Sequence, residues 1–228
     1  MEYPQGGGTR LARIGEALAR HDADILVISE YRGGESGVRL RAALTALGYG
    51  HLSATTPPPG GNGVLIAARA PFDDEGPVAD MLAEPHRLVR AHFGPVAIYA
   101  VYMPNLVKKV PYWRALIAAL AAESLDARSL AIGDFNTCRA YVDEPGAIDV
   151  CAHFMDEIEA IRFSDLWRRR NPEGREFSWY STRGNGFRID HAFLSPALIG
   201  RAGPVRYSHE ERESRLSDHS VLILDLDI

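Results

Sequence analysis

The segment Asp24-Ile25-Leu26-Val27-Ile28-Ser29-Glu30 constrains the fold of this chain more than any other stretch. A short, nearly continuous apolar run ending in an acid reads as a strand buried on both faces, because a strand with one wet face alternates apolar and polar residues. The pattern recurs. Val64 to Ala68, Leu88 to Phe93, Val96 to Met103, Ser129 to Ile132, Arg188 to Leu194 and Val221 to Leu226 also read as strands, and Gly94-Pro95 predicts a hairpin turn. Strands of this kind need cover on both faces, which two stacked sheets with helices outside provide. The helices are legible too. Leu11, Ile14 and Leu18 behind Thr9 predict a helix over Thr9 to His21, and others are expected over Val38 to Leu47, Tyr112 to Glu123 and His153 to Ile161. Pro57 to Gly61 reads as a loop. Strands and helices do not alternate regularly, which favours a four-layer αββα sandwich of two stacked, mostly antiparallel sheets over a Rossmann sheet or a TIM barrel.

No repeat or linker divides the chain, so residues 1–228 read as one domain. Hydrophobic residues at 46% and charged residues at 24% exclude a disordered, collagenous or coiled-coil chain. The longest apolar stretch, Ala115 to Ala122, falls far short of the ~20 residues a membrane span needs, and no signal-like start is present. Cys138 and Cys151 are the only cysteines, too few for a disulfide scaffold or a zinc site, which points to a reducing cytoplasm. The net charge of −5 argues against a protein that coats nucleic acid by bulk charge. A local basic groove stays open, since all basic residues except Lys108 and Lys109 are arginines, whose planar fork suits phosphate.

Four polar clusters share one property: each lies where an apolar strand ends. Glu30 closes the first strand, Tyr102-Met103-Pro104-Asn105 closes another, Asp134-Phe135-Asn136 follows a third, and Ser217-Asp218-His219 precedes the last. Each alone is common as a strand terminus, a turn or a cap. Together they put carboxylates on one rim, where they repel unless a cation sits between them. Oxygen ligands of this kind suit a hard Mg²⁺ or Mn²⁺.

In this order, "DILVISE", "VYMPN", "AIGDFN", "FRIDHAFLS" and "LSDHSVL", from Asp24 to Leu222, resemble the endonuclease/exonuclease/phosphatase superfamily, the DNase I-like fold. The stretch from Phe163 to Ser195, with F-S-W ahead of R-I-D, is similar to the exonuclease III and abasic endonuclease branch. The resemblance implies Glu30 as the principal metal ligand and Asp218 as a further metal or substrate-side carboxylate. Asp134 would orient or deprotonate water, helped by the amide of Asn136. His219 would hold the phosphate or act as acid and base, with Asp190 accepting from its other ring nitrogen, and Tyr102 would donate to the phosphate or leaving oxygen. Asn105, Trp179, Phe187 and Ile189 fall on the substrate side, the last three where abasic endonucleases line a pocket for a base-less sugar. The activity implied is a Mg²⁺- or Mn²⁺-dependent phosphodiester hydrolase acting on DNA, as an abasic-site endonuclease or 3′-exonuclease, with no obligate protein partner. A phosphatase or phosphodiesterase for lipid or small-molecule phosphates shares the same residues, since fold does not fix function. A catalytically silent binding module is the third alternative.

His191 follows Asp190 on one strand, so its side chain is expected to face the other way as a structural histidine. Arg168-Arg169-Arg170 reads as a solvated helix end, while Lys108 and Lys109, just beyond Asn105, are candidates for substrate contact. One departure from the family pattern stands out. The family opens on a strand bearing Trp-Asn just before a segment like "QGGGTR", where this chain has Met1 and Glu2. Glu2-Tyr3-Pro4-Gln5 makes a poor central strand, so the first strand is expected to be missing and the natural protein to begin upstream of Met1.

Overall fold

The computed structural model describes residues 7–146 and 149–227, and of Gly7 to Thr9 the backbone alone. Met1 to Gly6, on which the expectation about the opening strand rests, lie outside the described residues. In chain order the elements are α1 (Gly7–His21), β1 (Ile25–Tyr31), α2 (Gly34–Ala46), β2 (His51–Ala54), β3 (Gly63–Ala68), β4 (Asp73–Pro77), β5 (Leu88–Phe93), β6 (Val96–Tyr102) and α3 (Val110–Ala121). There follow β7 (Arg128–Asp134), α4 (His153–Ala160), β8 (Ser164–Asp165), α5 (Leu166–Arg170), β9 (Trp179–Tyr180), β10 (Gly186–Phe187) and β11 (Asp190–Leu194). The chain closes with α6 (Pro196–Ile199), β12 (Ala202–Ser208), α7 (Glu210–Glu213) and β13 (Val221–Leu226).

Every residue of β6 is buried, and its two faces explain the layering. Val96, Ile98, Ala100 and Tyr102 pack with β3, β5 and β13, whereas Ala97, Tyr99 and Val101 pack with Trp113, Leu116 and Leu120 of α3 and Phe154 and Ile158 of α4. The period of two sends alternate residues to two cores, as a strand covered on both sides requires. A third core joins Leu26 and Ile28 of β1 and Leu65 and Ala67 of β3 to Leu18 of α1 and Leu44 of α2. The order is therefore helices, a six-stranded sheet, a second strand layer, and helices again.

The six-stranded sheet runs β4-β5-β6-β7-β11-β8. All its pairs are antiparallel except β6 with β7, which α3 connects as a crossover helix. The hairpin at Gly94-Pro95 joins β5 to β6, with Phe93 opposite Val96. The second strand layer is two pieces, β1-β3-β2 and β12-β13. Among the described residues β1 pairs with β3 alone and β13 with β12 alone. A cavity of about 1160 Å³ lies between these two strands, lined also by Ile98, Leu130 and Ile132 of the six-stranded sheet and by Leu11 and Ile14 of α1.

Two of the strands that differ from their expected bounds do so for a visible local reason. β1 continues to Tyr31 across a register shift after Ile28, and Glu30 at the bulge has φ 58°, a conformation that re-aims its side chain. β11 starts at Asp190 because Arg188 and Ile189 bond to the loop beyond β7: Arg188 N–H to Asp143 O at 2.9 Å, and Phe135 N–H to Ile189 O at 2.9 Å.

Gly133 in β7 is required by contact. At φ 140° its backbone lies so near β6 that an added Cβ would sit 2.0 Å from Val101 O. Gly133→Ala is expected to cost about 3 kcal/mol or more through strain and ladder displacement, read as a Tm lower by at least ~6 °C in a chain of this size. A Tm within 2 °C of wild type would show that this strand yields freely.

Candidate active site

Three neighbouring strands end at one level. In the parallel β6–β7 register Tyr102 stands opposite Asp134, and in the antiparallel β11–β7 register Asp190 stands directly opposite Asp134. Like charges facing each other across a ladder destabilise it, so this pairing is maintained by something other than stability. His219 arrives from the loop before β13, where an isolated bridge ties it to Trp179. Its Nδ1 lies 2.8 Å from Asp190 Oδ2. Oxygens of Asp134 and Asp190 and a ring nitrogen of His219 all lie within 4.8 Å of one another.

Each member is locally held. Asp134 is buried, and its Oδ1 accepts from Asn136 N–H at 2.8 Å while its Oδ2 accepts from Asn136 Nδ2 at 2.9 Å. Asn136 sits at φ 48°, which asparagine tolerates better than most residues, and its Nδ2 also donates to Met103 O at 2.8 Å. Buried Ser178, the serine of F-S-W, binds the two late segments together. Its N–H donates to Phe187 O at 2.9 Å and its carbonyl accepts from Ser220 N–H at 2.8 Å. Its hydroxyl accepts from the N–H groups of Ile189 at 3.1 Å and Asp190 at 3.2 Å.

The electrostatics follow from burial and from this crowding. Burial, then the charge of Asp190, raise the Asp134 carboxyl to about 7 against the pull of His219 and the Asn136 N–H. Burial lowers the His219 imidazole, but the charge and hydrogen bond of Asp190, with Asp134 and Asp218 beyond, outweigh it and raise the ring to about 10. A base ionised above about pH 7 thus stands beside a ring that keeps its proton to about pH 10.

The remaining expected residues fall at different distances from this cluster. Glu30 and Asp218 are exposed and line the same cavity as Asp134, Asp190 and His219, outside the tight cluster. Tyr102 O–H donates to Glu30 Oε1 at 3.1 Å. Asn105 is exposed just past β6. Trp179 and Phe187 are half-buried, their rings in tilted contact with centroids 5.7 Å apart and planes at 46°, and Ile189 is buried. His191 points away into a fully buried network, as strand alternation demands.

Two expectations are corrected. Lys109 is not free for substrate: it is 2% exposed, and its Nζ bonds to Asn136 O and, at 3.0 Å, to Asp149 Oδ2. Arg168 is not a solvated helix end either, since it bonds to buried Asp143 at 2.7 Å and to three carbonyls, while Arg170 bonds to Ala202 O and Gly203 O. Asn62 and Arg87 had no signal in the sequence. Asn62 donates to the Tyr102 hydroxyl at 3.3 Å from a Gly-Asn-Gly loop, and Arg87 lies 4.4 Å over the Tyr102 ring.

A family model described as the endonuclease/exonuclease/phosphatase family matches residues 3–219. The chain belongs to the endonuclease/exonuclease/phosphatase family. Membership makes it a hydrolytic enzyme of nuclease and phosphodiesterase type. Solved structures agree on the DNase I-like fold. An AP endonuclease from Archaeoglobus fulgidus superposes with a TM-score of 0.85 at 22% identity, covering 96% of this chain and 95% of that one. The 3′-5′ exonuclease NExo from Neisseria meningitidis gives 0.84 at 26% identity over 96% and 95%. A 3′ phosphatase NExo from Neisseria, bound to a product DNA hairpin, gives 0.80 at 25% identity over 97% and 95%. No curated protein matches by sequence.

Proposed function

We propose that this family member is a divalent-metal-dependent phosphodiesterase acting on DNA, as an abasic-site endonuclease or a 3′-exonuclease. The observation that carries the reading is the cross-strand pair Asp134 and Asp190 with His219 locked to the second, at the head of a cavity. Exposed Arg32, Lys108 and Arg183, on loops next to Glu30, Asn105 and Phe187, support an anionic substrate despite the net charge of −5. Two free, buried thiols support a reducing, cytoplasmic setting. Among the described residues no helix is long and apolar enough to cross a membrane.

In this mechanism Asp134 accepts a proton from water as the water oxygen bonds to phosphorus, while Asn136 keeps the carboxylate aimed. The bond from phosphorus to the leaving sugar oxygen breaks, and Tyr102 O–H donates toward that oxygen. His219, cationic below about pH 10, pairs with a phosphoryl oxygen, and Asp190 fixes its ring through Nδ1. The donor set is rich in hard oxygens and carries unbalanced negative charge, which fits Mg²⁺ or Mn²⁺. Glu30, Asp134 and Asp190, with Asp218 nearby, would hold the ion, whose contribution is to neutralise charge on the phosphate.

The Trp179–Phe187 pair, with Ile189, would form an apolar wall for a base-less sugar. An intact nucleotide loses pairing and stacking to enter such a wall, at a few kcal/mol, whereas an abasic one has little to lose. Phe187→Ala is expected to lower cleavage of an abasic-analogue duplex at least tenfold more than 3′-exonuclease activity on intact duplex. Equal losses would remove the pocket from the account. The function itself is tested by assaying abasic duplex, intact duplex, single-stranded DNA and a generic phosphodiester side by side with Mg²⁺, Mn²⁺ or chelator. Metal-dependent cutting of DNA supports the reading. Hydrolysis of the small phosphodiester alone favours a small-phosphate enzyme, and no hydrolysis favours a binding module.

The same reading treats residues 1–228 as one domain.

A further inference from the structure

Arg188 takes no part in the chemistry above, yet its side chain is fully buried. Its guanidinium fork joins three segments. Nε donates to Asp143 Oδ1 at 2.9 Å, and Nη2 and Nη1 donate to Asp165 Oδ2 at 2.7 Å and Oδ1 at 3.2 Å, with the Trp167 ring 4.9 Å away. Asp143 lies on the loop that leaves β7 after Asp134, while Asp165 ends β8 and caps α5 by accepting from Arg168 N–H. Both acids are wholly shielded from solvent. His191 extends the fork. Its Nε2 lies 2.9 Å from Thr137 O, and its Nδ1 lies 3.0 Å from Arg188 Nη1.

We propose that Arg188 is a positioning residue that sets the separation of the Asp134–Asn136 turn from Asp190. The loop beyond β7 is tied to residues 188–191 at three points. Phe135 N–H bonds to Ile189 O, Thr137 O to His191, and Asp143 to both the backbone and the guanidinium of Arg188. These ties bracket Asn136, whose left-handed backbone would otherwise relax. The turn carrying Asp134 cannot slide against β11 without breaking charge-assisted bonds in a dry interior. Stability alone does not account for the arrangement, because a buried ion cluster is often matched or exceeded by packed apolar side chains. What the fork supplies is geometry: two acids held at fixed angles by one planar group, which a lysine's point charge cannot reproduce.

The proposal rests on the reading that Asp134 and Asp190 act on the phosphate, and its test separates the two. Arg188→Lys keeps the charge and loses the fork, and Asp143→Asn keeps the shape and loses the charge. Both are expected to lower kcat about 10–100-fold on the substrate that wild type cuts, with KM within about threefold, at temperatures well below each variant's Tm. Amide exchange at Phe135 and Arg188 is expected to rise at least tenfold relative to amides of the β5–β6 hairpin. Folded variants with kcat within twofold of wild type overturn the proposal. So does unfolding of both, which would assign the network to folding alone. If wild type cuts no phosphodiester, the functional reading falls, and exchange decides this claim: faster exchange at Phe135 supports it and unchanged exchange overturns it.

Discussion

Asp134→Asn is expected to lower turnover about 10²- to 10⁴-fold, the usual loss when a general base is removed, without loss of fold. The same change is expected to leave Tm unchanged or higher at pH 8. The sign follows from the environment of Asp134. Burial and Asp190 raise its folded-state pKa to about 7 from 3.8, so the folded protein holds that proton more tightly than the unfolded chain. Stability from this group is complete at low pH and is lost as pH rises from about 4 through about 7. An uncharged asparagine never incurs that loss. Buried carboxylates kept for chemistry commonly cost stability in this way. Retention of more than a tenth of wild-type hydrolysis would take Asp134 out of the mechanism. A Tm at pH 8 lower by several degrees would contradict the origin assigned to its raised pKa.

Asp190→Asn should act through the histidine. His219 owes its position near 10 to Asp190 first among its neighbours, against the opposing effect of burial. Without that charge the ring is expected to fall back toward the ordinary ~6.5, with burial lowering it and Asp134 and Asp218 still raising it. At pH 8 the variant would carry a neutral imidazole where wild type carries an imidazolium, and turnover is expected to fall about 10²-fold or more. Part of the loss should return at pH 6, where the ring regains its proton. The wild-type pair also contributes stability that is complete below about pH 6.5 and lost as pH rises through about 10, so the variant's Tm deficit should shrink at high pH. Ring-proton NMR and a pH–rate profile check both parts. A variant whose loss is the same at pH 6 and pH 8 would leave Asp190 a merely structural role.

The parts of this fold legible in the sequence are those that physics makes redundant. β6 is buried at every position, so its composition announces a central strand without knowledge of its neighbours. The polar endings of β1, β6 and β7 were legible for the same reason, as abrupt breaks in apolar runs. Two-residue strands such as β9 and β10 carry no periodicity and emerge only from pairing, Phe187 with Trp179. The register that sets Asp134 against Asp190 is a relation between residues 56 positions apart, which no local pattern encodes. Lys109 and Arg168 were misread because long cationic side chains are ordinarily solvated, and only the tertiary fold supplies the buried Asp149 and Asp143 that hold them. Arg188 was visible only as a neighbour of Asp190. Its partners, Asp143 and Asp165, lie in a loop and a two-residue strand that local sequence leaves unconnected.

Under the proposed function the facing carboxylates of Asp134 and Asp190 form, with His219, a cation-dependent phosphodiesterase centre. Calorimetric titration of Mn²⁺ into wild type, Asp134→Asn and Asp190→Asn, with hydrolysis of an abasic-analogue duplex followed in the same samples, decides whether they do. Saturable binding by wild type is expected, weakened at least tenfold in both variants, with hydrolysis that appears with Mn²⁺ and disappears with chelator. Binding unaffected by either substitution, or hydrolysis that survives the chelator, would contradict it.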